Sequence, residues 1–139
     1  MLFRSALYDK GREAFATGAI NWNGDTIKVV LVDTTAGAYT PNLATHQFLS
    51  DIAAGARIAT SAALTGKTAT AGVCNAANVN FSAVSGASVE ALVIYKDTGT
   101  AGTSPLIAYI DTATGLPVSP NGGDINIAWD TGTNRIFKL

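Results

Sequence analysis

Residues Thr26–Val32 have the sequence T-I-K-V-V-L-V, and residues Val89–Tyr95 have the sequence V-E-A-L-V-I-Y. Both stretches are rich in β-branched residues, which favour strands. From Val29 onward the first stretch is apolar at every position, so this part of the strand is expected to be buried on both faces. We therefore predict that the two segments are central strands of a sheet.

Further segments with strand character follow from residue 56 onward, separated by clusters of Gly, Asn, Thr and Ser. They recur at intervals of roughly 8 to 15 residues without crossover helices between them, which favours antiparallel pairing. The sequence predicts a mainly β fold, an antiparallel β-sandwich or barrel with an N-terminal helix and one short additional helix. The predicted strands in this part are Ala56–Leu64, Lys67–Val73, Asn78–Ala83, Val89–Lys96, Leu106–Asp111, Asp124–Asp130 and Arg135–Leu139.

The N-terminal helix is predicted over Ser5–Thr17, and Gly18 supplies its stop. A lone helix of about three turns is marginal in water, so its apolar face must dock either on its own sheet or on a neighbouring subunit. The sequence leaves both possibilities open. The short additional helix is predicted within Leu43–Ile52, ended by Gly55. The apolar face of the N-terminal helix consists of Leu7, Gly11, Ala14 and Phe15.

The composition fits a single β-rich structural domain, residues 1–139, with a core of ordinary size. Of the 139 residues, 47% are hydrophobic and only 14% are charged, against roughly 25% charged in an average globular protein. Small neutral surfaces of this kind are typical of contact surfaces, and also of many all-β proteins that have no such role.

The net charge is −1, and the nine Lys and Arg residues are scattered along the chain. Because nucleic-acid binding depends on clustered cations that neutralise phosphates, no nucleic-acid partner is predicted. The N-terminus lacks an apolar run of signal-peptide length, and no apolar stretch of 18 residues occurs. We therefore predict no membrane association, and a chain that is made and used in the cytoplasm or assembled there into something larger.

The stretch Ser61–Thr68 comes nearest to a phosphate-binding loop, because it ends in Gly66-Lys67-Thr68. Ser61 stands where the first glycine belongs, and the residues that follow favour a strand although this loop should open a helix. A hairpin turn is the preferred interpretation.

Asn21, Asn23 and Asp25 alternate like the first three ligands of a calcium loop. Thr26 replaces the turning glycine, and Val32 stands where the bidentate glutamate belongs. The pattern instead favours an Asn-Gly turn that leads into a strand.

His46 is the only histidine and Cys74 the only cysteine. No zinc spacing is present, and Ser50 and Asp51 form no known arrangement with His46. We predict a polar histidine on a surface helix and a cysteine that is a small core residue in a half-buried strand.

The carboxylates Asp33, Asp97, Asp111 and Asp130 each follow a predicted strand and are expected to open Asx turns. Aromatic side chains could stack on carbohydrate, although Tyr95 and Tyr109 lie in apolar strands and are expected to be core or interface anchors. The sequence thus predicts a protein that is not an enzyme, with no catalytic, cofactor-binding or metal-binding residues. The aromatic residues weighed for carbohydrate are Trp22, Trp129, Tyr39, Tyr95 and Tyr109.

Six segments together resemble a group of small proteins encoded among the virion structural genes of tailed bacteriophages. The likeness extends over nearly the whole chain, but it carries no chemical fingerprint. No functional residue is transferred from it. The segments are Ala6–Phe15, Ile27–Asp33, Ala44–Ile52, Val89–Asp97, Leu106–Asp111 and Pro120–Ile125.

The resemblance implies a capsid decoration (cement) protein that binds the outside of the expanded head and stabilises it. Its implied partner is the major capsid protein or another virion protein, and its implied location is the virion. Decoration proteins often assemble as trimers, so the resemblance also implies a homo-oligomer. Two alternatives stay open, a small tail, adaptor or fibre-base protein of the virion, and a carbohydrate-binding module or small hydrolase.

Overall fold

The computed structural model describes residues 6–35, 37–113 and 115–139. Within these residues the chain forms ten β-strands, one α-helix and three 3-10 turns. The helix, α1, spans Asp9–Ala16, and the 3-10 turns span Leu49–Asp51, Ala54–Ala56 and Ala101–Thr103. The strands are β1 Ala6–Leu7, β2 Ile27–Val32, β3 Arg57–Thr60, β4 Thr68–Thr70, β5 Val73–Asn75, β6 Val79–Phe81, β7 Ala91–Lys96, β8 Leu106–Ile110, β9 Ile125–Ile127 and β10 Phe137–Lys138.

The largest sheet has five strands in the order β1-β8-β7-β2-β3, and every neighbouring pair is antiparallel. β2 and β7 pair over their whole lengths, from Ile27 opposite Lys96 to Val32 opposite Ala91. Both strands are interior to the sheet, which confirms the prediction made from their sequences.

Two smaller antiparallel sheets, β10-β5-β4 and β6-β9, cover one face of the large sheet. The large sheet is open, with β1 and β3 at its edges, so it does not close into a barrel. The fold is mainly β and sandwich-like, as predicted. The shared core combines Val29, Leu31, Leu92 and Ile94 of the large sheet with Cys74, Val79, Phe81, Ile127 and Phe137 of the small ones.

The opposite face of the large sheet is covered by residues 38–56, which we call the covering loop. Its side chains Tyr39, Leu49 and Ile52 are buried against Val30 and Val93 of the sheet. The large sheet is therefore apolar on both faces, which explains why β2 and β7 have almost no polar residues.

The N-terminal helix is shorter than predicted. Ser5 lies outside the described residues, and α1 begins only at Asp9 because Ala6–Leu7 pairs with β8 as an edge strand. The prediction that Leu7 lies on the helix is therefore wrong. The end of the helix is confirmed, since Gly18 has a left-handed φ of 79° and its N–H donates to the carbonyl oxygen of Phe15.

The helix packs on its own subunit. Gly11 is buried, and a Cβ at this position would lie 2.7 Å from the carbonyl oxygen of Leu106 in β8. The ring of Phe15 packs on the core with its centroid 6.1 Å from that of Phe137. Of the two docking possibilities that the sequence leaves open, the structure has the helix on its own sheet.

The short helix predicted within Leu43–Ile52 is present only as the 3-10 turn Leu49–Asp51. The N–H of Leu49 donates to the carbonyl oxygen of Ser104, and the N–H of Leu106 donates to that of Gln47. The backbone here bonds to another segment, and so it does not form consecutive helical turns.

In the described residues no helix is long and apolar enough to cross a membrane.

Candidate interaction site

In the loop Ser61–Thr68, the side chains of Ser61 and Lys67 are engaged within the fold. The hydroxyl of Ser61, which is buried, accepts a hydrogen bond from the N–H of Val29 at 2.9 Å. The ammonium of Lys67 donates to the carbonyl oxygen of Asp25. Strand β4 follows the loop, so no helix N-terminus is available to hold a phosphate.

Asn21 and Asp25 close a turn on one another. The Asp25 carboxylate accepts a hydrogen bond from the N–H of Asn21 at 2.7 Å and lies 3.2 Å from the ammonium of Lys96. The side-chain oxygen of Asn21 accepts from the N–H of Gly24 at 3.1 Å. These hydrogen bonds use the oxygens of Asn21 and Asp25 to stabilise the turn that the sequence predicts.

His46 lies in the covering loop and is half-buried, which contradicts the prediction of a surface helix. Its Nδ1 lies 2.9 Å from the hydroxyl of Tyr39, and that hydroxyl lies 2.8 Å from the hydroxyl of Tyr8. Ser50 is exposed, and Asp51 accepts the N–H groups of two neighbouring residues. The hydrogen bonds of His46 join it to the Tyr39 hydroxyl and to the N–H of Asn42, and neither group is a serine or cysteine nucleophile that the histidine could activate.

The strand-end carboxylates form Asx turns in three cases out of four. Asp33, Asp97 and Asp130 each accept the N–H two residues further on, at 2.9, 2.9 and 3.0 Å. Asp111 departs from the prediction, because its buried Oδ1 has no hydrogen-bond partner among the described residues. Burial raises the pKa of Asp111.

The aromatic residues weighed as carbohydrate platforms are core residues. Trp22 Nε1 donates to the carbonyl oxygen of Asn75 at 3.1 Å, and Trp129 Nε1 donates to that of Ala77 at 2.9 Å. A buried ring presents no free face to a sugar. All five are exposed by 8% or less, namely Trp22, Trp129, Tyr39, Tyr95 and Tyr109.

Cys74 is buried in β5, as predicted, and burial raises the pKa of its thiol to about 11. A thiol with so high a pKa is neutral and unreactive near pH 7. No group of three or more His, Cys, Asp or Glu side chains among residues 6–35, 37–113 and 115–139 is arranged to hold a metal ion.

A further feature of the chain is the near absence of charge in residues 58–89, which we call the uncharged segment. Lys67 is the only charged residue in this stretch, and it is half-buried with its ammonium bonded to Asp25. The segment supplies most of the two small sheets, since it contains β4, β5 and β6. Its exposed residues are therefore all neutral, and they are Thr60, Ala62, Ala63, Thr65, Gly66, Thr68, Ala69, Thr70, Ala71, Ala77, Asn78, Asn80, Ser82, Ala83, Ser85, Gly86 and Ala87.

The uncharged segment is held in place by its own hairpin and by the loop before β9. β4 and β5 form a two-residue hairpin through Ala71 and Gly72, whose φ angles are 52° and 79°. The Asp124 carboxylate accepts the N–H of Ala83 at 3.0 Å. A depression of about 210 Å³ opens within the segment, lined by residues 62–65 and 77–80.

A second concavity, of about 370 Å³, lies between α1 and β10 and is lined mainly by apolar side chains. Its walls include Phe15 and Leu139, and Leu139 is 53% exposed. Arg12 and Lys138 also line it, so its chemistry differs from that of the uncharged segment.

The composition of the whole chain shows that its charge is low, but composition does not show in which stretch the charged residues are rarest. The signal was available, because 31 of the 32 residues from 58 to 89 are uncharged. No protein-family model matches the chain, and no curated protein matches it.

Proposed function

We propose that this protein is a structural component of a tailed-phage particle, a capsid decoration protein that binds the outer surface of the expanded head and stabilises it. The observation that carries the proposal is the uncharged segment, whose exposed residues are all neutral. The resemblance to virion structural proteins supplies the kind of partner, the major capsid protein.

A neutral surface is suited to broad protein contact because little free energy is lost when it is desolvated. Burying an unpaired charge is costly, and the centres of protein interfaces are accordingly depleted of charged residues. The Ala, Thr and Gly side chains of the segment also lose little rotamer entropy when they are immobilised. Both effects favour association even where the contact has few large apolar anchors.

The strand pairing within the segment supports the same role. The β4–β5 hairpin and the pairing of β6 with β9 fix its backbone before any partner binds. A backbone that is ordered in advance loses less conformational entropy on binding than a flexible one. On a symmetric shell, many copies acting together add avidity to a weak single contact.

The proposal includes a homo-oligomer, with a trimer as the form that decoration proteins often adopt, and the virion as the place where the protein acts. It includes no enzymatic activity, no cofactor and no nucleic-acid or membrane partner.

The test is cosedimentation of the purified protein with expanded heads of the phage that encodes it. We expect the wild-type protein to sediment with the heads and to raise the temperature at which they disrupt. Absence of binding would overturn the proposal.

Charge insertion then tests the surface. Thr68→Glu or Thr70→Glu places a carboxylate on the exposed strand β4, where burial of an unpaired charge should cost about 2 kcal/mol or more in binding, which is roughly 30-fold in affinity. Thr45→Glu is the matched control, because it inserts the same charge at an exposed site in the covering loop. All three variants should unfold at similar temperatures. Equal loss of binding in the control would contradict the assignment of the uncharged segment as the contact surface.

A further inference from the structure

Strand β4 lies within the uncharged segment and forms one edge of the small sheet β10-β5-β4. Its three residues, Thr68, Ala69 and Thr70, are all exposed. An edge strand presents backbone N–H and C=O groups that no neighbouring strand satisfies. Which residue of β4 presents these groups follows from the bonding of β5.

The bonding of Cys74 fixes the direction of the backbone groups of Ala69. Cys74 lies opposite Ala69 on one side and opposite Phe137 of β10 on the other. Its carbonyl oxygen accepts a hydrogen bond from the N–H of Ile136 at 3.2 Å, so it points to the β10 side. In an antiparallel pair, hydrogen-bonded and non-hydrogen-bonded residue pairs alternate, and a residue bonds with both its N–H and its C=O or with neither. Ala69 and Cys74 are therefore a non-hydrogen-bonded pair, and the N–H and C=O of Ala69 point off the free edge.

The turn between β4 and β5 leads to the same alternation. Ala71 and Gly72 both have a positive φ, 52° and 79°, as in the type I′ turn of a two-residue hairpin. The residues that flank such a turn, Thr70 and Val73, form a hydrogen-bonded pair. The next residue of β4, Ala69, then lies in a non-hydrogen-bonded pair. Its N–H and C=O have no hydrogen-bond partner among the described residues.

The surroundings of this edge favour an uncharged strand as its partner. Exposed edges are commonly protected by charged side chains, proline or bulges, and β4 contains no charged residue and no proline. The cation that precedes it, Lys67, has its ammonium bonded to the carbonyl oxygen of Asp25. A charged side chain of an added strand would lose water here without gaining an opposite charge.

We propose that an extended, uncharged segment of the capsid protein adds to β4 as a further strand, with its backbone accepting from the N–H of Ala69 and donating to its C=O. This inference rests on the proposed function and specifies how the uncharged segment makes its contact. In strand addition, main-chain hydrogen bonds supply affinity, and side chains on alternate positions supply specificity. The small side chains of Thr68 and Thr70 leave room for such a segment.

Ala69→Pro tests the proposal in cosedimentation with expanded heads. Proline removes the outward N–H, and it leaves the pairing of β4 with β5 intact because this N–H takes no part in it. We expect binding to weaken by about tenfold or more. Ala69→Ser is the matched control, since it keeps the N–H, and it should bind like the wild type. Thr70→Pro removes an N–H that bonds to β5, so its Tm should fall well below that of Ala69→Pro.

Amide hydrogen exchange of the wild-type protein gives a readout that needs no variant. In the free protein the N–H of Ala69 should exchange faster than those of Thr68 and Thr70, because only the latter two are bonded to β5. On expanded heads the N–H of Ala69 should become protected.

The outcomes separate strand addition from the proposed function. Wild-type protein that does not bind heads would overturn both. Wild-type binding that Ala69→Pro retains in full, or that leaves the Ala69 N–H unprotected, would overturn strand addition alone. A Tm of Ala69→Pro as low as that of Thr70→Pro would also overturn it, because the Ala69 N–H would then point to β5. Protection of Ala69 in the free protein that rises with protein concentration would place a second copy on the edge and contradict the proposal.

Discussion

The contact between α1 and β8 makes a sharp prediction for Gly11→Ala. A Cβ at Gly11 would lie 2.7 Å from the carbonyl oxygen of Leu106 and 3.0 Å from that of Ile107. Both atoms belong to the backbone of a strand inside the large sheet, so they cannot rotate away. The helix must therefore move outward by about half an ångström or more, and the packing of Phe15 on the core moves with it.

The magnitude follows from two opposing effects. Alanine is favoured over glycine in a helix interior by about 1 kcal/mol, whereas overpacking against fixed atoms costs roughly 1–3 kcal/mol. Because the contact with Leu106 is so short and involves backbone, we expect the steric cost to be at the upper end. The net loss should be about 1–2 kcal/mol, which for a domain of this size lowers Tm by roughly 3–8 °C.

The assay is thermal and urea unfolding followed by circular dichroism, with Gly55→Ala as the matched control. A Cβ at Gly55 meets no atom within 4 Å, and its φ is not left-handed, so alanine there should leave Tm unchanged or raise it slightly. A Gly11→Ala protein as stable as the wild type would refute the close packing of α1 on β8.

Three further predictions follow from the same structure. Phe15→Ala should lower the free energy of unfolding by roughly 2 kcal/mol, a modest loss because the ring is only half-buried. Urea unfolding at several protein concentrations should show that the variant does not dissociate before it unfolds. Ala71→Asn should raise the free energy of unfolding by roughly 1 kcal/mol, because Ala71 has a φ of 52° and asparagine tolerates the left-handed region better. The hydrogen bond from Lys28 at 2.7 Å holds the pKa of Asp97 below its usual value. The stabilisation from this ion pair should therefore be complete above about pH 4 and lost as the pH falls further. Lys28→Met should reduce the loss of stability at acid pH in a curve of unfolding free energy against pH.

The two central strands of the large sheet could be predicted, because local sequence determines them. β2 and β7 are apolar on both faces, and no other element accommodates such a run of β-branched residues. The start of α1 could not be predicted, because it depends on the pairing of Ala6–Leu7 with a strand about a hundred residues later in the chain. Local propensity contains no information about such a contact.

The covering loop shows a second limit of sequence reasoning. The apolar spacing of Leu49 and Ile52 resembles a helical period, yet both residues face the sheet because the backbone around them bonds to residues 104–106. For the candidate site, the composition of residues 58–89 was visible from the start. Which of these neutral residues are exposed depends on how the two small sheets pack, and local sequence does not determine that packing.

The central claim is that this chain decorates a capsid through the uncharged segment, and a reconstruction of the phage particle tests it most directly. We expect density for this fold on the outside of the expanded head, with residues 58–89 against the major capsid protein. Density for the chain in the tail or at a fibre base, or particles without the chain, would contradict it.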